Sequence, residues 1–277
     1  MDIHETVHYP HSEMNTFLLP ATRGCSWNKC VYCSMYKDSD YKLVAFDEMK
    51  MNLMNGNPYT ERVFLTGADP LSMGFDRMMQ ILELIKGYFK YCAIVGAYAS
   101  IKNITMYSDK ELEELHRNGL NLLYIGFESG RDDILKLMKK GHTAIQAIEQ
   151  AKRLNDAFIQ FNTIIMYGIG GIGEGISNAE ETAKLIGQFE TKGIITMNMT
   201  VFEGTELSRL ISKGSFIEAS RTEKLLELRR LLELLEPQRR TEFDTTHPTN
   251  ILRIRGFLPE DKSRLLRDIN SLLQIDS

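Results

Sequence analysis

The feature that most limits the fold of this chain is a sixfold alternation. Short apolar runs, "NTFLLPAT" (15–22), "RVFLTG" (62–67), "CAIVGAYAS" (92–100), "NLLYIGFES" (121–129), "IQFNTIIMYG" (159–168) and "GIITMNMTVF" (193–202), alternate with amphipathic stretches of helical length. The runs are mostly apolar throughout, which predicts parallel strands buried on both faces. Ser108-x-x-Glu111, Thr143-x-x-Gln146, Ser177-x-x-Glu180 and Ser220-x-x-Glu223 match capping boxes, in which two side chains satisfy orphan backbone donors reciprocally. Gly141 is expected to end the helix of "DDILKLMKK" as a left-handed cap. In "EKLLELRRLLELLEP", Leu225, Leu228, Leu232 and Leu235 share one face before Pro237 stops the helix. Six β-then-α units in series mean a parallel α/β fold, either an open doubly wound sheet or a partial barrel. The pattern turns helical near residue 205. The expected organisation is therefore a lead-in at 1–14, a core domain at 15–204 and a helical C-terminal extension at 205–277.

Composition excludes several function classes. No apolar run approaches the ~20 residues that span a bilayer, and the polar N-terminus "MDIHETVHYPHSEM" is unlike a secretory leader. The expected location is cytoplasmic, where thiols stay reduced. Net charge is −4. The most basic stretch, Arg221 to Arg255, is almost balanced by acids and reads as a solvated helix surface, so nucleic acid is not indicated.

Three of the four cysteines crowd into "TRGCSWNKCVYC", spaced C-x₄-C-x₂-C. Two sites suit three thiolates with one position left over: zinc with a histidine or Cys92 as fourth ligand, and a [4Fe–4S] cluster in which one iron has no protein ligand. No second pair of ligands is visible and Cys92 reads as an inert thiol, which favours the cluster.

On these residues the chain resembles the radical S-adenosylmethionine (SAM) enzymes, in which a three-cysteine loop after the first strand carries such a cluster. The usual spacing has three residues between the first two cysteines; here there are four. "YIGFESGRDDILKLMKKGHT" resembles the corresponding segment of the branch holding the elongator catalytic subunit and coproporphyrinogen dehydrogenase. The resemblance implies a partial (β/α)6 TIM-like barrel, with Cys25, Cys30 and Cys33 as cluster ligands and SAM on the open iron. By the same resemblance Gly67, Ala68 and Asp69 contact the SAM amino group, Glu128 its ribose hydroxyls and Lys140 its carboxylate. Tyr32 and Ser100 join the cofactor contacts, and Gly170, in "YGIGGIGEG", lets the backbone approach the adenine. That G-x-G-x-x-G run could also be a dinucleotide turn, which gives a nicotinamide-dependent reductase as the rival enzyme. A zinc-stabilised binding protein is the rival without catalysis. The end of the chain, "HPTNILRIRGFLPEDK", resembles a group of short radical SAM proteins at His247 and Asn250, with Pro248 and Thr249 departing from it.

The implied activity is reductive cleavage of SAM to a 5′-deoxyadenosyl radical that takes hydrogen from a small-molecule substrate under anaerobic conditions. An electron donor such as flavodoxin or ferredoxin is implied. Asn162, Tyr167, Asn198, Glu203 and His247 are candidate substrate contacts. Met166, Met197 and Met199 are expected to fill the core, Trp27 to wall the cluster, and His4, His8 and His11 to form a polar lead-in. No second cysteine cluster is present in the sequence, so auxiliary clusters are not expected, nor is a cobalamin domain.

Overall fold

The computed structural model describes residues 8–275; His4 lies outside them. The chain divides into two compact units. The first comprises residues 1–28, 36–125 and 156–160. It carries strand β1 (Phe17–Pro20), a short hairpin of β2 (Thr22–Arg23) and β3 (Lys42–Leu43), and helix α1 (Phe46–Met54). There follow β4 (Arg62–Thr66), α2 (Phe75–Tyr88), β5 (Ile94–Ala99), α3 (Ile101–Ile104), α4 (Asp109–Arg117) and most of β6 (Leu120–Glu128). The order β1-β4-β5-β6 is parallel throughout, with Leu19 opposite Leu65 and Leu65 opposite Ala97. Phe64, Tyr98 and Tyr124 pack edge to face in its core, with centroids 5.4 to 6.1 Å apart.

The second unit comprises residues 29–35, 126–155 and 161–277. It holds α5 (Asp132–Leu137), α6 (Ala144–Asp156), β7 (Gln160–Tyr167), α7 (Gly175–Ile186), β8 (Gly193–Asn198), α8 (Glu206–Ser212), α9 (Arg221–Leu234), β9 (Thr241–Asp244), β10 (Arg255–Leu258) and α10 (Lys262–Ile275). β7, β8 and β9 run parallel, and β10 is antiparallel to β9. The described part of residues 205–277 thus adds two strands as well as three helices. Phe127, Phe161 and Phe189 form an aromatic core here, with centroids 5.2 to 6.1 Å apart.

Each of the six apolar runs contains a strand. Their burial patterns, such as four consecutive buried residues in β4, are those of strands covered on both faces. The boxes at Ser108 and Ser220 form with both hydrogen bonds, and Thr143 and Gln146 bond each other's backbone N–H reciprocally. Ser177 is not a cap. α7 begins at Gly175 with Glu174 as its N-cap, which places Ser177 inside the first turn. Leu225, Leu228, Leu232 and Leu235 are all buried. Gly141 is left-handed as expected, but α5 already stops at Leu137 because Lys139 adopts φ +52°. The N–H of Lys140 then bonds back to the Leu135 carbonyl and closes the helix end.

The expected lead-in also carries structure. His11–Glu13 forms a 3₁₀ turn, and Glu13 is fully buried against Arg62 and Tyr124. No described helix is long and apolar enough to cross a membrane.

Candidate functional site

Asp69, Ser100, Glu128 and Gly170 among the candidate residues lie at or just beyond the C-terminal ends of strands, where ligands gather in parallel α/β folds. In the first unit Cys25 follows β2, and Asn28, at φ +43°, turns its N–H onto Cys25 Sγ at 3.3 Å. Asparagine tolerates this left-handed backbone better than most residues. The turn is tied down by Asn28 Nδ2 donating to the Tyr36 carbonyl at 2.8 Å and Lys37 Nζ donating to the Asn28 carbonyl at 2.9 Å. Trp27 lies under the Lys102 ammonium, 4.2 Å from the ring centroid.

Gly67, after β4, has φ +122°, and a Cβ there would run into the Thr22 hydroxyl and carbonyl. Only glycine allows that approach. Ala68 is half-buried and Asp69 is buried. Asp69 Oδ2 accepts from Asn103 Nδ2 at 2.5 Å, and the same amide reaches the Ser26 hydroxyl beside Cys25 at 3.2 Å. Ser100 caps α3, its hydroxyl accepting from the Asn103 N–H at 3.2 Å. Asp69, Asn103 and Ser26 are therefore one hydrogen-bonded group, and sequence reasoning missed Asn103, which carries no local motif.

In the second unit the Cys33 N–H bonds to the Cys30 carbonyl, closing the C-x₂-C turn. Val31 is pinned by backbone bonds to Met138 and Leu207. β6 ends in a γ-turn. The Ser129 N–H bonds to the Phe127 carbonyl at 2.8 Å around Glu128, which sits at φ +64°. Such a backbone costs a non-glycine residue roughly 1–3 kcal/mol and persists only when its surroundings impose it. It folds the Glu128 carboxylate back over Gly126, where a Cβ would strike both that carboxylate and Lys140 Nζ. Lys140 Nζ donates to Glu128 Oε1 at 2.7 Å in a mostly buried ion pair. Burial pulls the ammonium down, but the Glu128 carboxylate and the sulfurs of Cys30 and Cys33 outweigh it and hold Lys140 above the usual lysine range.

Burial pushes the Tyr32 phenol well above its ordinary value, with Glu128, Cys30 and Cys33 adding to the effect. Glu128 Oε2 is buried and receives no well-formed hydrogen bond; the nearby phenol interacts with the carboxylate more loosely. His142 completes this group. Burial, then the Lys140 charge, drives its imidazole down to about 3 against a hydrogen bond to the Phe127 backbone, and its Nε2 has no partner. Its presence in "KGHT" was the available signal.

The glycine turn 168–173 follows β7. The space a Cβ would need is filled by the Lys224 side chain at Gly168, by Glu174 and Ile134 at Gly170, and by Ile217 and Phe216 at Gly171. The turn is thus packed against its own unit at all three positions. Among the substrate candidates, the Tyr167 hydroxyl accepts from the Ile251 N–H at 3.1 Å, and burial pushes that phenol up to about 12. The Asn198 N–H donates to Asn250 Oδ1 at 2.7 Å, and Asn198 Oδ1 is buried without a hydrogen bond. His247 Nδ1 lies 2.8 Å from the Thr249 hydroxyl, with burial lowering its basicity. Tyr167, Asn198 and His247 thus meet around the 245–254 loop. Asn162 is buried instead, with its Oδ1 against Gly193, and Glu203 is exposed. Met166 and Met199 are core residues, whereas Met197 is half-buried. His8 packs edge to face on Tyr36.

The sequence profile of the Radical SAM superfamily matches residues 19–186. The chain belongs to that superfamily. Its members use a [4Fe–4S] cluster and SAM, which displaces the nicotinamide and zinc readings. A probable threonylcarbamoyladenosine tRNA methylthiotransferase of Methanocaldococcus jannaschii is 28% identical over 236 residues, 78% of this chain and 52% of that protein. Coproporphyrinogen III oxidase (HemN) from Escherichia coli, described as a radical SAM enzyme, superposes with a TM-score of 0.61 at 13% identity, over 78% of this chain and 51% of its own. Archaeal Elp3 from Methanocaldococcus infernus gives 0.55 at 15% identity, over 94% and 63%. These two structures belong to the branch expected from the 124–143 segment, and the shared fold is the partial barrel. The chain spans about half the length of the curated relatives it matches.

Among the described residues no three His, Cys, Asp or Glu side chains are gathered as a metal site. The donor chemistry nevertheless fits the superfamily's cluster. The three thiols lie on one loop, are partly accessible, and none is in a disulfide. The buried Glu128 oxygen that lacks a well-formed hydrogen bond, beside an ammonium, likewise fits a ligand carrying hydroxyls and a carboxylate.

Proposed function

We propose that Cys25, Cys30 and Cys33 hold the [4Fe–4S] cluster and that the strand ends hold SAM for radical chemistry on a small-molecule substrate. Held by these cysteines, the cluster would supply one-electron reductive cleavage of SAM to methionine and a 5′-deoxyadenosyl radical for hydrogen abstraction, with a flavodoxin- or ferredoxin-like donor as the source of the electron. The chain's own residues bind and orient. Glu128 accepts hydrogen bonds from the ribose hydroxyls, and Lys140 pairs with the carboxylate. Gly67, Ala68 and Asp69 receive the ammonium group, with Asn103 fixing the Asp69 carboxylate. Ser100 and Tyr32 contribute further contacts, and the Gly170 turn approaches the adenine. Tyr167, Asn198 and His247 are the substrate-facing candidates that share a surface.

The observation that carries this reading is the three-cysteine loop inside the matched domain. A small substrate is favoured over RNA because most arginines of the basic stretch pair with acids from within it or from neighbouring elements. Arg229 pairs with Glu233, Arg230 with Glu180, Arg239 with Glu190, Arg240 with Glu260 and Arg255 with Glu242. Anaerobic reconstitution with iron and sulfide tests the ligand set. The wild type should be brown, with four irons per chain; Cys30→Ala should lose the colour, and a Cys30→Ala protein that keeps a full cluster would refute the assignment.

A further inference from the structure

Helix α9 lies beyond the stretch that matches the superfamily, yet three of its side chains grip the β7–α7 glycine turn. Glu223 Oε1 accepts from the Gly173 N–H at 2.9 Å, and Glu227 Oε2 accepts from the Gly168 N–H at 2.8 Å. The other Glu227 oxygen accepts from Asn178 Nδ2 at 2.6 Å. The Lys224 stem fills the space beside Gly168, while its Nζ donates to the Met199 carbonyl just past β8 at 3.1 Å and to Glu218 at 2.6 Å. Glu227 and Lys224 are 2% and 5% exposed.

A helix that merely covered the sheet would place leucine at both positions, as α9 does at Leu225, Leu228 and Leu232. Burying an acid and an ammonium carries a desolvation cost, and the groups satisfied in return include, beside the Asn178 and Glu218 side chains, backbone atoms of the turn and of the β8 end. Burial lifts Glu227 to about 7 against the opposing pull of Asn178, the Gly168 N–H and Lys224. The acid is held there at a cost to its own ionisation.

We propose that Glu227 and Lys224 are positioning residues that fix the 168–173 turn in the shape that receives the adenosyl part of SAM, so that α9 sets cosubstrate affinity. This rests on the reading that the chain binds SAM along that turn. Neither residue touches the cosubstrate.

The test uses Glu227→Gln, because alanine would enlarge the small cavity lined by Tyr167, Asn178, Thr182, Thr196 and Glu227. Glutamine sets its amide N–H against a donor, Asn178 Nδ2 or the Gly168 N–H. Combining Asn178→Asp with Glu227→Gln restores complementary polarity, and the carboxylate introduced at position 178 can still accept from the Ser129 hydroxyl, as the Asn178 side chain does at 2.5 Å. Hydrogen exchange on the cofactor-free protein should show amides of 168–173 exchanging about tenfold faster in Glu227→Gln, with β4 and β5 amides unchanged and the double variant near wild type. Equilibrium dialysis of the reconstituted proteins should show SAM binding about tenfold weaker in Glu227→Gln and recovered in the double variant. Unchanged exchange at 168–173 would overturn the clamp. Faster exchange with unchanged SAM affinity would overturn its link to the cosubstrate. A wild type that binds no SAM would instead overturn the reading of function beneath it.

Discussion

Each compact unit buries a glutamate with a cation and a tyrosine, and the two groups are built differently. In the first unit, Glu13 receives Arg62 Nε on one oxygen at 2.9 Å and both Arg62 Nη2 and the Tyr124 hydroxyl on the other. Both of its oxygens are satisfied, it lies on ordinary backbone, and it sits before the first strand. In the second unit, Glu128 shares one oxygen with Lys140, leaves the other without a well-formed bond, and occupies a left-handed backbone at a strand's C-terminal end. A saturated buried network stabilises the fold, whereas one that is strained and unsatisfied keeps capacity for a ligand. A carboxylate, a cation and a phenol therefore complete a saturated network in one place and, on the proposed reading, leave room for a ligand in the other.

That contrast can be broken in order of effect. Arg62→Met leaves the fully buried Glu13 charge without its guanidinium. It should cost about 3 kcal/mol by denaturant unfolding, the lower end for a broken buried pair because Arg62 is 30% exposed. SAM affinity of the variant should not move. Glu128→Gln should instead weaken SAM binding in dialysis about thirtyfold, at a smaller cost in stability than Arg62→Met because its amide oxygen can still accept from Lys140 Nζ. Equal losses of stability and binding in both variants would erase the distinction.

A third prediction concerns His142, which the fold holds neutral to about 3 while the unfolded chain protonates near 6.5. The unfolded state then binds more protons across that window. Stability is full above 6.5 and drains as pH falls towards 3. Over the first one and a half pH units below the unfolded value, the wild type should lose about 2 kcal/mol that His142→Asn does not. Parallel pH curves for the two proteins would contradict it. The smallest difference expected is in the stability of Glu128→Gly, which relieves the φ strain. It should cost far less stability than Arg62→Met, with the relief offsetting about 1 kcal/mol of the lost pair, while binding falls as far as in Glu128→Gln.

The strands and most caps were legible because their signals are local. An apolar run of six residues, or a serine three residues before a glutamate, announces itself. The cysteine loop was legible for the same reason. β9 and β10, four residues each, are too short to stand out in a segment dominated by α9 and α10. Ser177 fitted a cap pattern but lost the position to Glu174, because α7 begins two residues earlier. Within the site, Glu128 and Lys140 were readable from their segment, but the γ-turn and the left-handed Lys139 that bring them together were not. Both are backbone conformations of single non-glycine residues, Glu128 at φ +64° and Lys139 at φ +52°, which no residue-type pattern along the chain announces. Asn103, Glu13 and Glu227 act on residues 34, 49 and 59 positions away, and no window along the chain contains both partners.

The central claim is that this chain reductively cleaves SAM on a cluster held by its three-cysteine loop. Its most direct test is to incubate the anaerobically reconstituted, dithionite-reduced protein with SAM and quantify 5′-deoxyadenosine by chromatography. The account predicts 5′-deoxyadenosine from the wild type and none from Cys30→Ala. A fully cluster-loaded wild type that binds SAM and releases none, or a Cys30→Ala protein that releases as much as the wild type, would contradict it.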